Sequence, residues 1–349
     1  MRIALISTPF VSVPPLDYGG TELVVYELAE GLVEQGHHVA LFATGDSKTS
    51  ADLRALFPTA QWPPNTLSDL HHVSWALQQI AHQHFDIVHV NSAAALATAR
   101  LLSLPPLVYT IHHNRNEVLS GYYPYFPEVY FVAISANQQS HEVPLERCTV
   151  IHHGLDPTRF KLTERPADYV CFVGRFSPEK APHLAIEAAQ KAEVPIRVAG
   201  RTHAPDARYA AKELEPRLML PDVEEEGPVG MKEKSELLTH ARALLAPVQW
   251  DEPFGLILIE AMLSGCPVVA FPRGSIPELV DPGETGLIVN SLEEMTDAIR
   301  PGGPIDRIDR RRCRTRAVTR FSRQRMVREY EQLYQRVLWE TKPHLPITA

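Results

Sequence analysis

Short runs of apolar residues alternate with amphipathic stretches from one end of the chain to the other. In the first half the runs fall at residues 2–7, 38–43, 86–90, 107–111, 130–134 and 149–151. In the second they fall at 169–173, 196–199, 223–225, 243–246, 267–271 and 286–289. Runs this short, rich in Val and Ile and separated by helix-length segments, predict buried parallel strands joined by crossover helices. Residues 21–35 form one such helix, with Leu23, Val24, Leu28 and Leu32 as its apolar stripe and Gly36 as its stop. Two sets of about six units predict two doubly wound α/β domains facing each other.

Size agrees with this division, since 349 residues exceed the ~250–300 at which single cores stop growing. The break is expected near 155–168, where LDPTRFKLTERPAD is polar, aperiodic and carries two prolines. This predicts an N-terminal domain at 1–160 and a C-terminal domain at 161–324, with a last helix near 325–349.

Composition narrows the function classes. A net charge of −8 argues against a general nucleic-acid binder, which carries a basic surface. The cysteines, Cys148, Cys171, Cys266 and Cys313, are scattered without a C-x-x-C pair. They form neither a disulfide framework nor a zinc site, as befits a reducing cytoplasm. The opening MRIALIST is too short for a signal peptide, and no run approaches the ~20 apolar residues of a membrane span. The expectation is a soluble cytoplasmic protein. Ten arginines between Arg307 and Arg328 leave two readings open. One is a patch for the anionic inner face of a membrane; the other is a solvated helix face interleaved with Ile308, Val318, Phe321 and Met326.

The segment with most chemistry is 250–266, WDEPFGLILIEAMLSGC. Residues 253–255 make a tight loop, and 256–264 read as a helix whose N-terminus offers free N–H groups and partial positive charge. Glu252 lies at the loop's entrance. Glu260 is a carboxylate among Leu256, Ile257, Leu258, Ile259, Ala261 and Met262, costly there unless hydrogen bonds satisfy it. A pair of ribose hydroxyls would do so; the plainer alternatives are a surface helix residue for Glu260 and a helix-capping acid for Glu252. Directly after the 169–173 strand comes GRFSPEK, placing Arg175 and Lys180 where open α/β sheets bind ligands. They could neutralise a diphosphate, Arg by a fork and Lys as a point charge, or be solvated loop residues. In the first half, Gly19 and Gly20 end a strand-to-helix loop and would let backbone approach a ligand. His112 follows the 107–111 strand and points to the same side, while His152 and His153 are left as an interdomain contact. Neither G-x-G-x-x-G nor a Walker A motif occurs.

Together these pieces resemble the family 4 glycosyltransferases, retaining enzymes of the GT-B fold. The likeness rests on Gly19–Gly20, His112, GRFSPEK and the Glu252…Glu260 pair, which matches the family's E-x7-E motif. It extends to VIHHGLDPTRF, GPV, RGSIPELV, GETGLIV and RFSRQRMVREYEQLY, and so covers nearly the whole chain. The resemblance implies that Glu260 binds the ribose and Glu252 the donor sugar near its reacting carbon. Arg175 and Lys180 would hold the diphosphate, the amides of Phe254, Gly255 and Leu256 the sugar, Gly20 the distal phosphate, and His112 the sugar near its 6-position. It also implies an N-terminal acceptor-binding domain, a C-terminal donor-binding domain, and a last helix crossing back to the former. His153 departs from the family's asparagine before the hinge glycine.

The implied reaction transfers a hexose from a nucleotide-diphosphate sugar, with a UDP-sugar as the first expectation. The acceptor, a saccharide, a lipid-linked molecule or a small molecule, is left undetermined; its contacts would come from loops such as 114–127. No D-x-D is present to hold a diphosphate through a metal, so neither metal nor other cofactor is expected. Rival readings are a sugar-nucleotide epimerase of the same fold and a non-catalytic sugar-nucleotide-binding protein. A nicotinamide dehydrogenase is disfavoured by the missing glycine fingerprint.

Overall fold

The computed structural model describes residues 1–17 and 19–341; the end of the expected last helix, 342–349, lies outside the described residues. The chain divides into two compact units. The first comprises the described residues of Met1–Gly154 and Arg323–Ala349, and the second is Leu155–Ser322.

Each unit is a wholly parallel sheet. In the first, β1 (Arg2–Ile6), β2 (His38–Phe42), β3 (Asp52–Arg54), β4 (Ile87–Val90), β5 (Leu107–Ile111), β6 (Tyr130–Ala133) and β7 (Cys148–Val150) lie in the order β3-β2-β1-β4-β5-β6-β7. In the second, β8 (Val170–Val173), β9 (Ile196–Ala199), β10 (Val223–Gly227), β11 (Leu244–Ala246), β12 (Val268–Ala270) and β13 (Gly286–Ile288) lie in the order β10-β9-β8-β11-β12-β13. Registers are in step, as in Ile3↔Val39 and Ile3↔Ile87. Strands β4, β5 and β6 are buried along their whole length, because helices cover both faces of a parallel sheet. Ile6, Phe42, Val88, Val90, Tyr109 and Phe131 bring their faces into one core.

The strand order reverses between β1 and β4 in the first sheet, and between β8 and β11 in the second. Such reversals open a crevice beyond the carboxyl ends of the strands, because the flanking crossovers leave in opposite directions. Every site residue expected from the sequence follows a strand of one of these sheets.

The expected strands are found, with ends differing by a residue or two. β3 was not expected: Asp-Leu-Arg at a half-exposed sheet edge has no apolar run to signal it. At the other edge of the second sheet, β10 carries Glu224, Glu225 and Glu226, and Arg197 of β9 pairs with the first and last. Charges there discourage a further strand from adding.

The last helix, Arg323–Thr341, packs on the Gly20–Glu34 helix of the first unit. Arg323 is buried between Glu27 and Glu34, at 2.5 and 2.7 Å. Tyr334 reaches His89 Nδ1 at 2.7 Å, and Tyr330 reaches Thr110 at 3.0 Å, so the helix is fastened by polar as well as apolar contacts. Burial lowers the pKa of His89 to about 3, which keeps it neutral in this network.

Gly31 is the tightest point of that packing. A Cβ there would stand 2.5 Å from Val327 Cγ2 and 3.1 Å from Arg323. Ala outranks Gly by about 1 kcal/mol in a helix interior, but overpacking beside a buried β-branched side chain costs about 1–3 kcal/mol. Gly31→Ala should therefore lower the melting temperature, and Val327→Ala introduced alongside it should recover most of the loss. Thermal melts of the two variants and the native protein decide; a more stable Gly31→Ala would show that the helices simply separate.

In the arginine-rich segment Arg311, Arg312, Arg316 and Arg328 are exposed while Ile308, Phe321 and Met326 are buried, and other arginines reach main-chain carbonyls. Arg310 donates to the carbonyls of Thr163, Ala241 and Thr239, and Arg314 to those of Pro157, Phe160 and Leu263. Arg320 holds the carbonyls of Glu278 and Leu279, and Arg325 those of His152 and His153. These guanidiniums fasten loops within their own units rather than forming one solvated face. At the surface, Glu164, Glu284 and Asp281 pair with Arg311, Arg312 and Arg316. No helix among the described residues is long and apolar enough to cross a membrane.

Candidate active site

In the second unit, the strands flanking the reversal run directly into the two sequence motifs. GRFSPEK leaves the end of β8, and WDEPFG follows β11. Gln249 N–H donates to the Glu179 carbonyl at 2.7 Å, joining the two loops. Ala181, buried behind Lys180, takes a left-handed conformation at φ 51°, unusual for a non-glycine residue and common where loops shape a site. The turn presents the Lys180 ammonium to the Glu252 carboxylate and places it 5.1 Å from the centre of the Trp250 ring. Trp250 Nε1 donates to the same Glu252 oxygen at 2.9 Å. Glu252 is thus a buried acid with two donors.

The Glu252 loop is clamped from outside. Ser275 N–H donates to the Glu252 carbonyl at 2.8 Å, and Ser275 Oγ to the Phe254 carbonyl at 2.7 Å. Gly274 permits this approach, because a Cβ there would lie 2.3 Å from Glu252 backbone atoms. The RGSIPELV segment therefore shapes this loop. Gly255 follows at φ 88°, a turn open to glycine at no steric cost, and the Leu256–Leu263 helix begins without any side-chain cap. Leu258 N–H turns back to the Gly255 carbonyl at 3.0 Å, while the N–H groups of Leu256 and Ile257 have no side-chain cap and can meet an anion or a hydroxyl.

Glu260 lies one turn into that helix and is 1% exposed, which excludes the surface-residue alternative. Lys234 Nζ, on the neighbouring Met231–His240 helix, donates to Glu260 Oε1 at 2.6 Å. The helix-capping alternative for Glu252 also fails, since its carboxylate caps no helix N–H. Arg175 is placed differently. It pairs with Glu179, and its Nε lies 3.7 Å from Asp206. The structure thus joins Lys180 to Glu252, with Phe254, Gly255, Leu256 and Glu260 continuous beyond them, and leaves Arg175 on two acids of its own.

The remaining expected residues belong to the first unit. Gly19 and Gly20 open the Gly20–Glu34 helix, again without a side-chain cap. In the first turn Glu22 is buried and accepts the Thr8 hydroxyl; burial raises its pKa, partly offset by that bond. His112 follows β5, with Nε2 2.8 Å from Asn91 Oδ1. Its ring is stacked on His153, with centres 5.6 Å apart and planes 20° apart. Burial, with a smaller contribution from His113, pushes the His112 pKa down to about 3. The contact between His112 and His153 lies within the first unit.

Trp250, Lys234, Ser275, Glu22 and Asn91 were not singled out from the sequence. Trp250, Lys234, Ser275 and Asn91 act on residues that were, from up to 26 positions away, while Glu22 accepts from Thr8, which was not.

Two family descriptions match consecutive parts of the chain: "Glycosyltransferase Family 4" over residues 18–159 and "Glycosyl transferases group 1" over 156–300. The chain belongs to the family 4 glycosyltransferases. Its family transfers glycosyl groups, and its two parallel-sheet units are those of the GT-B fold. A relative named D-inositol 3-phosphate glycosyltransferase, from Mycobacteroides abscessus, is 30% identical over 175 residues. That match covers 46% of this chain and 40% of the relative, so the chain spans less than half of that protein's length. A protein of the same name from Frankia alni is 26% identical over 346 residues, covering 78% of this chain and 82% of that one.

Solved structures share the fold. Sucrose-phosphate synthase from Thermosynechococcus elongatus matches 98% of this chain and 100% of its own, at TM-score 0.81 and 21% identity. The Anabaena HepE protein in complex with UDP and glucose matches 96% and 100%, at TM-score 0.75 and 20% identity.

Proposed function

We propose that this family 4 glycosyltransferase transfers a hexose from a nucleotide-diphosphate sugar to an acceptor hydroxyl, with retention and without a metal. The observation that carries the reading is the Lys180–Glu252–Trp250 cluster beside an uncapped helix N-terminus, at the reversal of a parallel sheet. A cation, a buried carboxylate and free N–H groups converge there, as a negatively charged leaving group and a positively charged sugar carbon require.

In this reading the diphosphate takes the Lys180 ammonium and the Arg175 guanidinium, replacing Glu179 as Arg175's partner. Glu252, released from Lys180, faces the sugar, and the N–H groups of Gly255 and Leu256 bind its hydroxyls. Glu260 keeps one oxygen on Lys234 and offers the other to the ribose. Gly20 meets the distal phosphate, and His112 the transferred sugar. A retaining double displacement needs a carboxylate nucleophile at the sugar's back face. The family resemblance offers no residue for that place and implies instead attack from the face the leaving group departs, its phosphate receiving the acceptor's proton. UDP-sugars come first among donors. The relatives' name puts a phosphorylated polyol first among acceptors.

A thermal-shift screen of UDP-, GDP- and ADP-sugars should single out one base, because a ligand bound only by the folded state raises stability. Transfer from that donor should continue in excess EDTA. Loss of activity on chelation, restored by Mg²⁺ or Mn²⁺, would overturn the metal-free reading; no shift with any nucleotide sugar would overturn the donor site.

A further inference from the structure

We propose that Asn91 is a positioning residue that fixes His112 as an imidazole protonated on Nε2, leaving Nδ1 as an acceptor for a sugar hydroxyl. The sugar contact rests on the function proposed above; the orientation of the ring does not.

A side-chain amide leaves its oxygen and nitrogen to be assigned from their partners, and here the partners decide. Asn91 follows β4 and its amide lies 2.9 Å from the main-chain oxygen of Ile6, at the end of β1. A carbonyl oxygen only accepts, so the NH₂ group must face it. The same Ile6 oxygen accepts the Asn91 main-chain N–H at 3.1 Å, holding the residue at both ends across the reversal of the sheet. The amide oxygen then faces His112 Nε2 at 2.8 Å, and as an acceptor it requires a proton on that nitrogen. In a neutral imidazole the other nitrogen, Nδ1, is bare.

The surroundings keep the ring neutral. Its titratable neighbours are His89, His113 and His153, with Arg325 acting on His153, and none would favour a cation. A second proton would also set charge against the stacked His153 ring. His113 cannot substitute, since its nitrogens are engaged by the Asn114 carbonyl and the Tyr123 hydroxyl, each at 2.6 Å. His112 is therefore an acceptor and not a general acid. It selects a sugar presenting a neutral hydroxyl, and disfavours one presenting an ionised carboxylate at that place.

Nitrogen NMR of the full-length protein labelled at histidine, without nucleotide, reads the tautomer directly. His112 should show the Nε2–H form and remain neutral through mildly acidic pH. Asn91→Asp places a carboxylate at the same nitrogen, so the His112 pKa should rise and kcat/KM should gain an ionisation absent from the native profile. Asn91→Leu should mix the tautomers and lower kcat/KM ~10-fold, as loss of one hydrogen bond does, while free-nucleotide affinity stays unchanged. An Nδ1–H tautomer in the native protein, or an Asn91→Asp protein with unaltered tautomer and pH profile, overturns the assignment. A protein with the expected tautomer that transfers no sugar overturns the proposed function instead.

Discussion

Lys180→Ala should lower kcat/KM by at least ~10²-fold, the usual result of removing one group that stabilises charge in a transition state. It should also lower stability, because it leaves the buried Glu252 without its cation. Breaking a buried pair costs about 3–5 kcal/mol; this lysine is one-fifth exposed, and Trp250 still donates to Glu252, so about 1–3 kcal/mol is expected. The two effects can be parted. Lys180→Met combined with Glu252→Gln removes both charges and should restore most of the stability while restoring no activity. Thermal melts and steady-state kinetics on the two variants and the native protein provide the test. If activity returned with stability, Lys180 would serve the fold and not the diphosphate. Arg175→Ala should act in the same direction on kcat/KM, and Arg175→Lys should not rescue it fully, since the planar fork is lost.

The second large effect separates the two glutamates. Glu252→Gln should mainly lower kcat, because its charge matters most when positive charge develops on the sugar. Glu260→Gln should raise the donor's KM with a smaller effect on kcat, the pattern of lost uniform binding. Its loss is sharpened by Lys234, whose ammonium would then face a neutral amide in a site where Glu260 is 1% exposed. Free-nucleotide affinity should fall in the Glu260 variant and stay near normal in the Glu252 variant, as titration calorimetry would show. The reverse assignment would remove the central pair from the donor site.

What the sequence made legible follows from how each feature is encoded. Strands such as β5 and β9 were found to the residue, because a short Val- and Ile-rich run bounded by polar residues encodes its own burial. β3 was missed for the opposite reason, since an edge strand of Asp-Leu-Arg is held by its neighbour's backbone and not by its own side chains. Glu252 and Glu260 stood out by spacing. Their partners Lys180 and Lys234 are 72 and 26 residues away, and only the fold brings them in. The roles of Arg310, Arg314 and Arg320 were not legible, because composition records charge, whereas their targets are main-chain carbonyls that no composition shows.

The first unit is built from both ends of the chain, with the second inserted between them. During synthesis all of Leu155–Ser322 therefore leaves the ribosome ahead of the first unit's last helix. Until Arg323–Thr341 emerges, Glu27 lacks Arg323, and His89 and Thr110 lack their tyrosine partners. Domains usually fold in order of emergence. Here the inserted unit can be finished first, and the unit that begins the chain is the last to close.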